Sequence, residues 1–463
     1  MINEREIILS ILMEMDSGRT YRHSLVRDVL NQYDYLNVQQ KGMIKRIVDG
    51  VTERRITLDY VLNSFSNTPV NKMKPLIRSL LRMSTYQILY MNGIPDSAAI
   101  NEAVKLADKR KFQALKGFVN GVLRNISRNK EKIVYPEKSE TDQGVQYLSV
   151  RYSMPEMFCR MWMKTYGFDQ TEKILKAFLE IRPVIIRMDE RFTEEEITSL
   201  VVRMQEEGGE NFEIGKSSLL SYAYELAHTD NIQYLAGYDE GMWMVQDLSS
   251  MLVTQAAGIQ KGNRVIDVCS APGGKALHAA AKLSGTGSVI ARDVSEAKCS
   301  LIHENAARMH MDNIVVQVHD ATIPDPSLEN TADVLYCDLP CSGLGIIGRK
   351  SDIKYGITSE ILNSITDLQK KIMQAVWNYV RPGGILMYST CTIHRAENEK
   401  MVQWICEHFP FEPVSMENAL PSQLLEETSV REGYLQLLPG QYGTDGFFFA
   451  KLRRKQQEDE ESV

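Results

Sequence analysis

The chain has 463 residues, of which 43% are hydrophobic and 24% are charged. This composition is ordinary for a globular protein, so it excludes extensive disorder, and the length predicts about three domains. No apolar run reaches the roughly 18 to 20 residues of a membrane span, and the acidic N-terminus is untypical of a secretory signal, so we expect a cytoplasmic protein without membrane contact.

The cysteines predict free thiols rather than a structural framework. They are Cys159, Cys269, Cys299, Cys337, Cys341, Cys391 and Cys406. Their number is odd and no two have the spacing of a CxxC pair, so we expect neither a disulfide framework nor a metal site.

The net charge of −7 conceals an uneven distribution. Residues 1–140 contain 23 Lys and Arg and 15 Asp and Glu, whereas residues 141–463 contain 30 and 45. The most basic stretch is 105–130. Local positive charge favours a polyanion as partner, although a solvated helix face would have the same composition.

The predicted elements divide the chain into four parts. Apolar residues recur at helical spacing throughout 1–135, which predicts an α-helical domain. Residues 145–240 mix a strand at 184–188 with an acidic amphipathic helix, which predicts a small α/β module. In 241–452, strands at 264–268, 288–291, 314–318, 334–337 and 385–388 alternate with helical stretches, which predicts a mainly parallel sheet with helices on both faces. Residues 453–463 form a charged tail.

The segment 267–275 reads Asp-Val-Cys-Ser-Ala-Pro-Gly-Gly-Lys and joins a predicted strand to a predicted helix. Glycines at such a turn let backbone N–H groups approach a ligand, and open α/β sheets bind nucleotides at the carboxyl ends of their strands. Both the GxGxxG and the P-loop patterns are missing. The segment therefore favours a nucleotide-like ligand other than a dinucleotide; the alternative is an ordinary tight turn.

Two aspartates follow the next two strands. Asp293 ends the second strand, where a carboxylate can accept both hydroxyls of a ribose. Asp320 follows the third strand, where it can accept a hydrogen bond from an adenine amino group. Either alone could be a loop-capping residue, but both at one sheet edge favour an adenosine-containing ligand.

Two cysteines follow the fourth and fifth strands, Cys341 three residues after Asp338, and Cys391 after Ser-Thr. A thiolate beside an adenosine cofactor suits methylation at C5 of a pyrimidine: sulfur adds to C6, C5 becomes nucleophilic and takes a methyl group from a sulfonium, and a base removes the C5 proton. The alternative, a buried small hydrophobe, is our interpretation of Cys159, Cys299, Cys337 and Cys406.

Taken in order, these motifs resemble the RNA cytosine-C5 methyltransferases of the RsmB/Sun/NOL type. The C-terminal motifs are 245–247 (Val-Gln-Asp), 267–275, 338–345, Arg349 with 352–354 (Asp-Ile-Lys), 389–391 (Ser-Thr-Cys), 397–399 (Glu-Asn-Glu) and 444–448 (Thr-Asp-Gly-Phe-Phe). Segments 75–86, 98–104 and 117–125 resemble the NusB-like RNA-binding domain attached to some of these enzymes. Several motifs in a fixed order make the resemblance specific.

The resemblance implies a multidomain fold: a NusB-like helical domain (1–135), a small α/β module (145–240) and a Rossmann-like methyltransferase domain (241–452). It implies S-adenosylmethionine as cofactor and 16S ribosomal RNA, not DNA, as substrate of a monomeric enzyme. The cofactor would lie on Cys269, Ser270, Ala271, Pro272, Gly273, Gly274 and Lys275, with Asp293 at the ribose and Asp320 at the adenine.

The resemblance also implies roles for the two cysteines. Cys391 would be the nucleophile, Cys341 would release the adduct, and Asp338 would lie between cofactor and base. Lys275 would either contact the cofactor or orient Asp267 or Asp338. Leu339, Leu344 and His319 depart from the residues common in the family, which affects the positioning of the base rather than the reaction type.

Three alternatives remain. The same chemistry can act on another RNA, such as a transfer RNA or a different ribosomal site. The helical domain can belong to an antitermination-like RNA-binding factor with an inactive sheet domain. A nicotinamide-dependent oxidoreductase is disfavoured because GxGxxG is missing.

Overall fold

A computed structural model describes residues 3–17, 22–33, 35–139, 141, 143–229 and 232–456. Contacts divide the chain into two compact units, one of residues 1–179 with 349–356 and one of residues 180–348 with 357–463. In this described part of the chain, no helix is both long enough and apolar enough to span a bilayer.

The helices, in chain order, are α1 (Glu4–Asp16), α2 (Arg22–Gln32), α3 (Val38–Glu53), α4 (Arg55–Phe65), α5 (Pro75–Tyr90), α6 (Asp96–Lys109), α7 (Lys116–Asn129), α8 (Gln143–Tyr152), α9 (Glu156–Tyr166), α10 (Phe168–Ala177), α11 (Glu194–Glu207), α12 (Leu248–Ala257), α13 (Gly274–Leu283), α14 (Glu296–Arg308), α15 (Ile353–Gly356), α16 (Ser359–Val376) and α17 (Glu399–His408). The strands are β1 (Val184–Met188), β2 (Glu213–Lys216), β3 (Ala223–Ala227), β4 (Trp243–Val245), β5 (Arg264–Asp267), β6 (Ser288–Asp293), β7 (Ile314–Val318), β8 (Ala332–Asp338), β9 (Val380–Thr390), β10 (Phe411–Pro413), β11 (Tyr434–Leu437) and β12 (Phe447–Arg454).

The first unit is helical in its described residues, which confirms the predicted helical N-terminal region. Its core is formed by apolar residues of α1–α7. Helix α5 begins with Pro75. The first residue of a helix makes no N–H hydrogen bond within the helix, so proline costs nothing there. Helix α5 is buried along most of its length.

A buried arginine links three helices of this unit. Arg82 of α5 donates to Asp59 of α4 through Nε (2.7 Å) and Nη2 (2.6 Å), and its Nη1 lies 3.1 Å from Asp16 at the end of α1. A planar guanidinium can serve both carboxylates at once. This interaction fixes the packing of α1, α4 and α5.

The segment 349–356, which follows the 338–345 motif in sequence, belongs to the helical unit. Lys354 is buried and donates to the Glu53 carbonyl at 2.8 Å, and Tyr355 donates to the Thr52 carbonyl at 3.0 Å. The sequence did not predict that this segment belongs to the helical unit, because it lies within the range 241–452 that was assigned to the methyltransferase domain.

The second unit contains two sheets. The smaller is antiparallel in the order β2-β3-β1-β4. Helix α11 packs on it and begins with a capping box, in which Thr193 and Glu196 each accept a hydrogen bond from the other's backbone N–H. Trp243 of β4 is fully buried in this core, and its indole N–H donates to the Ala236 carbonyl at 2.8 Å.

The larger sheet has the order β10-β12-β9-β8-β5-β6-β7, and β11 pairs with β12. Strands β5–β9 pair in parallel, which confirms the mainly parallel sheet. One apolar core contains α12–α14 and the other α16 and α17, so helices cover both faces. The chain winds outward from β5 in one direction through β6 and β7 and in the other through β8 and β9, so the strand order reverses between β5 and β8, where α/β sheets form their ligand crevice.

Antiparallel strands β10, β11 and β12 extend the sheet beyond β9, and the sequence patterns did not predict them. Strand β12 continues to Arg454. The first two residues of the predicted tail at 453–463 are therefore in the sheet, and residues 457–463 lie outside the described residues.

The Arg82→Ala variant should lose about 3 kcal/mol of stability, because two partly buried carboxylates would lose their shared partner. Arg82→Lys should fall between Arg82→Ala and the wild type, since lysine keeps the charge but cannot pair with both carboxylates in a fixed geometry. Urea unfolding gives the stability, and hydrogen exchange gives its location. Unchanged exchange in α1, α4 and α5 of Arg82→Ala would contradict this role.

Candidate active site

The turn after β5 is held by its neighbours along the sheet. Ser270 N–H donates to the Arg292 carbonyl at 2.8 Å, and Ala271 N–H donates to Asp293 Oδ2 at 3.0 Å. Gly273 has a φ of +102°, which a residue with a side chain rarely adopts, and it lets α13 begin at Gly274. The sequence Pro-Gly-Gly therefore produces a sharp strand-to-helix turn at the switch point.

A cavity of about 250 Å³ lies at this turn, entirely within the second unit. Its lining residues are Met244, Val245, Gln246, Asp247, Ser249, Ser250, Asp267, Ser270, Ala271, Pro272, Gly274, Lys275, Asp338, Ile346, Cys391, Asp445 and Phe447. Seven of the predicted site residues are therefore in one place: Ser270, Ala271, Pro272, Gly274, Lys275, Asp338 and Cys391.

An ion pair crosses the cavity from α13 to the end of β8. Lys275 Nζ donates to Asp338 Oδ2 at 2.6 Å, and Ser389 Oγ donates to Asp338 Oδ1 at 2.7 Å. The Lys275 ammonium also lies 5.3 Å from the centre of the Phe447 ring. Lys275 thus orients Asp338. From the sequence, Asp267 and Asp338 were the two carboxylates that Lys275 could orient.

The other carboxylate, Asp267, is buried at the end of β5. Burial and the nearby Asp338 carboxylate raise the pKa of Asp267 to about 7, and the Lys275 ammonium opposes them. Because Lys275 pairs with Asp338, the net charge of this side of the cavity depends on how far Asp267 is ionised.

The two cysteines meet at the ends of neighbouring strands. Parallel pairing of β8 with β9 sets Asp338 opposite Ser389, and the following loops bring Cys341 Sγ to 3.2 Å from Cys391 Sγ. The hydrogen bond with Cys391, burial and the charges of Cys391 and Glu397 raise the pKa of the Cys341 thiol well above its ordinary value. Cys341 therefore keeps its proton at neutral pH and can donate it in a hydrogen bond to Cys391.

A close backbone approach holds these loops. Gly345 N–H donates to the Cys391 carbonyl at 3.0 Å, and Gly446 N–H donates to the Gly345 carbonyl at 2.9 Å. A Cβ on Gly345 would lie 1.9 Å from the Gly446 carbonyl oxygen, so any side chain there would separate the backbones.

Five predicted site residues do not line the cavity. Cys341 contacts Cys391 instead. Cys269 packs against the apolar core on the α16–α17 side, and Gly273 supports the turn. Asp293 is buried and accepts from Ala271, and Asp320 accepts from the backbone and hydroxyl of the nearby Thr322. In this structure, Asp293 thus supports the neighbouring turn after β5, whereas Asp320 acts on its own loop.

Several lining residues were not predicted as site residues. Gln246, Asp247, Asp445 and Phe447 lie in motifs that carried the family resemblance, so a signal for them existed. No sequence motif identified the other lining residues Met244, Ser249, Ser250 and Ile346. Among the described residues, no group of three or more His, Cys, Asp or Glu is arranged to hold a metal ion.

The melting temperature of the Asp267→Asn variant, relative to that of the wild type, should increase as the pH rises from 5 to 8. The folded state keeps Asp267 protonated up to a pKa of about 7, whereas the unfolded chain ionises it near its ordinary value of about 3.9. The folded state therefore binds the extra proton, so this carboxyl lowers stability progressively from about pH 4 to pH 7. Asparagine does not titrate, so the difference should grow by a few degrees.

Thermal melts of the cofactor-free protein at pH 5 and 8 measure this difference, with the exposed Asp312→Asn as control. A difference that does not depend on pH would show that Asp267 is ionised throughout.

Comparison with known proteins identifies the family. Residues 255–453 match the family model "16S rRNA methyltransferase RsmB/F", and residues 2–128 match the NusB family. The chain is 36% identical over 454 residues to the probable ribosomal RNA small subunit methyltransferase B of Bacillus subtilis, covering 97% of this chain and 98% of that protein. It is 29% identical to the protein of the same name from Synechocystis, covering 98% and 100%.

The solved structure of PH0851 has the same fold, with a TM-score of 0.77, 22% identity and coverage of 98% of this chain and 99% of that one. The family match, the full-length relative and the methyltransferase sheet agree. The chain belongs to the RsmB/F family of 16S rRNA methyltransferases, and its cofactor is S-adenosylmethionine.

Proposed function

We propose that this chain methylates C5 of a cytosine in 16S ribosomal RNA through a transient bond between the Cys391 sulfur and C6 of the base. One observation carries the proposal: Cys391 lines the cavity at the β5 turn and also lies 3.2 Å from a second thiol. Methylation at a nucleophilic nitrogen or oxygen needs no thiol, whereas C5 of cytosine needs a sulfur nucleophile at C6.

The charge of the cavity suits the cofactor. Among the described residues, four carboxyl groups and one ammonium line it, those of Asp247, Asp267, Asp338, Asp445 and Lys275, and Arg182 pairs with Asp445 at 3.0 Å. S-adenosylmethionine carries a sulfonium and an ammonium, which an excess of carboxylates attracts. When bound, it supplies an electrophilic methyl group. We assign the 269–275 turn to hold it, with Asp293 at its ribose and Asp320 at its adenine.

The chain's own groups account for the other steps. Cys391 adds to C6, and the ring electrons move toward C5, which then accepts the methyl group. A base takes the C5 proton, the C5–H electron pair re-forms the C5–C6 double bond, and the Cys391 sulfur leaves as a thiolate. We assign the release to Cys341, which contacts the leaving sulfur, and base contact to Asp338, which Lys275 and Ser389 hold in place.

The target cytosine must leave its stack, because sulfur and methyl donor cannot both reach a paired base. One base carries little sequence information, so we assign recognition of the RNA to the helical unit that resembles NusB. Its basic stretch is partly neutralised: Lys109, Lys116 and Lys130 pair with Glu6, Asp108 and Asp96. Within the described residues, no ion pair is made by Lys111, Arg124 or Arg128. Their positive charges are therefore available to bind phosphate groups of the RNA.

The Cys391→Ala variant should lose methylation by more than about 1,000-fold, because the nucleophile is gone. Cys341→Ala should instead accumulate a covalent complex with unmodified RNA, since addition proceeds but release does not. Bisulfite sequencing of small-subunit RNA measures the product, and denaturing gels measure the complex. The partly buried Cys406→Ala is the matched control.

Full activity of Cys391→Ala would refute the assigned nucleophile. Bisulfite sequencing also tests the substrate: 5-methylcytosine lost from a transfer RNA, with 16S RNA unchanged, would favour the same chemistry on another RNA.

The double variant Arg124→Gln, Arg128→Gln should weaken RNA binding and lower the slope of log affinity against log salt by about 2, one for each lost phosphate contact. Lys105→Gln is the control, because Glu102 already pairs with Lys105 at 2.8 Å. Filter binding between 50 and 300 mM salt is the measurement, and an unchanged slope would move the RNA contact to another face.

A further inference from the structure

A buried carboxylate, Glu397, lies between the two cysteine loops. Its side chain is fully buried, and in the described part of the chain no lysine or arginine pairs with it. An isolated buried carboxylate is costly, so it must be held by hydrogen bonds.

The donors to Glu397 come from the Cys341 side. Oε2 accepts from the Ser342 backbone N–H at 2.8 Å and from Gln369 at 3.3 Å, and Oε1 accepts from the Ser342 hydroxyl at 2.6 Å. Ser342 directly follows Cys341. Gln369 also donates to the Pro340 carbonyl at 2.9 Å. The residues on both sides of Cys341 in the sequence, Pro340 and Ser342, are therefore held by hydrogen bonds.

The same carboxylate reaches the Cys391 side. His394 Nδ1 lies 3.1 Å from Glu397 Oε1, and the Ser342 hydroxyl lies 2.8 Å from the Thr392 hydroxyl. Thr392 directly follows Cys391. One carboxylate thus connects two loops whose cysteines are 50 residues apart in sequence, through Ser342, one residue after Cys341, and His394, three residues after Cys391.

The contact between the sulfurs cannot hold the loops by itself. A thiol is a weak donor and sulfur a weak acceptor. Hydrogen bonds to a carboxylate are shorter and stronger than those between neutral groups. The bonds from Ser342 to Glu397 are therefore stronger than the sulfur contact that they support.

We propose that Glu397 is a positioning residue of the methyltransferase, which holds the sulfurs of Cys341 and Cys391 in contact by binding Ser342 on one loop and the His394 imidazole on the other. Its catalytic consequence rests on the proposed function. Its geometric consequence does not, because the distance between the two thiols can be measured without RNA or cofactor.

The experiment measures disulfide formation between Cys341 and Cys391 with diamide in the full-length protein, followed by peptide mass spectrometry. Glu397→Ala should slow this reaction at least tenfold, because the loops lose their shared acceptor. Glu397→Gln keeps an acceptor for Ser342 N–H, so its rate should equal or exceed that of the wild type. The exposed Glu407→Gln on α17 is the matched control and should not change the rate.

Steady-state kinetics then separate positioning from general damage. Glu397→Ala should lower kcat at least tenfold and leave the S-adenosylmethionine affinity within twofold, with partial rescue in Glu397→Gln. If Glu397→Ala does not fold, Ser342→Ala replaces it, because it removes one of the two Ser342 bonds and should slow the disulfide reaction severalfold.

A folded Glu397→Ala, or Ser342→Ala, that forms the disulfide at the wild-type rate overturns the inference. A wild-type protein that makes no 5-methylcytosine, while its variants still show the predicted disulfide rates, overturns the proposed function and leaves the positioning role standing.

Discussion

Parallel pairing of β8 with β9 is the constraint on which the rest of the site depends. Because neighbouring parallel strands end at the same edge, the register that sets Asp338 opposite Ser389 also delivers Cys341 and Cys391 to one place. A shift by one residue would turn every side chain of the shifted strand to the other face of the sheet. The buried residues of β8 and β9, packed between helices on both sides, fix that register. Catalytic geometry is thus a consequence of core packing rather than of the loops alone.

Charge is organised around the same edge. The strand order reverses between β5 and β8, so the turn after β5 and the end of β8 face each other across the cavity, and Lys275 joins them through Asp338. The buried Asp267 carboxyl, whose pKa is raised to about 7 by burial and by Asp338, carries only part of a negative charge at neutral pH. The proposed function therefore places the cationic methyl donor at the wall formed by the β5 turn and the thiol nucleophile at the wall that carries the sulfurs.

The sequence predicted the parts of this arrangement that carry a local signal. Strands β5–β9 have apolar, β-branched segments, and the polar residues at their ends identified Lys275, Asp338 and Cys391 at the cavity. The rest depends on contacts distant in sequence. No local pattern connects Ile346 with the cavity, places 349–356 in the helical unit, or shows that Glu397 binds Ser342. The antiparallel strand β12 was missed because its triple phenylalanine run has no alternation.

The most direct test of the central claim is to incubate the protein and S-adenosylmethionine with small-subunit RNA that contains 5-fluorocytidine, and to map the trapped peptide by mass spectrometry. Fluorine at C5 cannot leave as a proton does, so the adduct should persist. We predict a covalent bond between C6 of one cytosine and the sulfur of Cys391. Attachment through Cys341, or no adduct in a protein that still methylates ordinary RNA, would contradict the account.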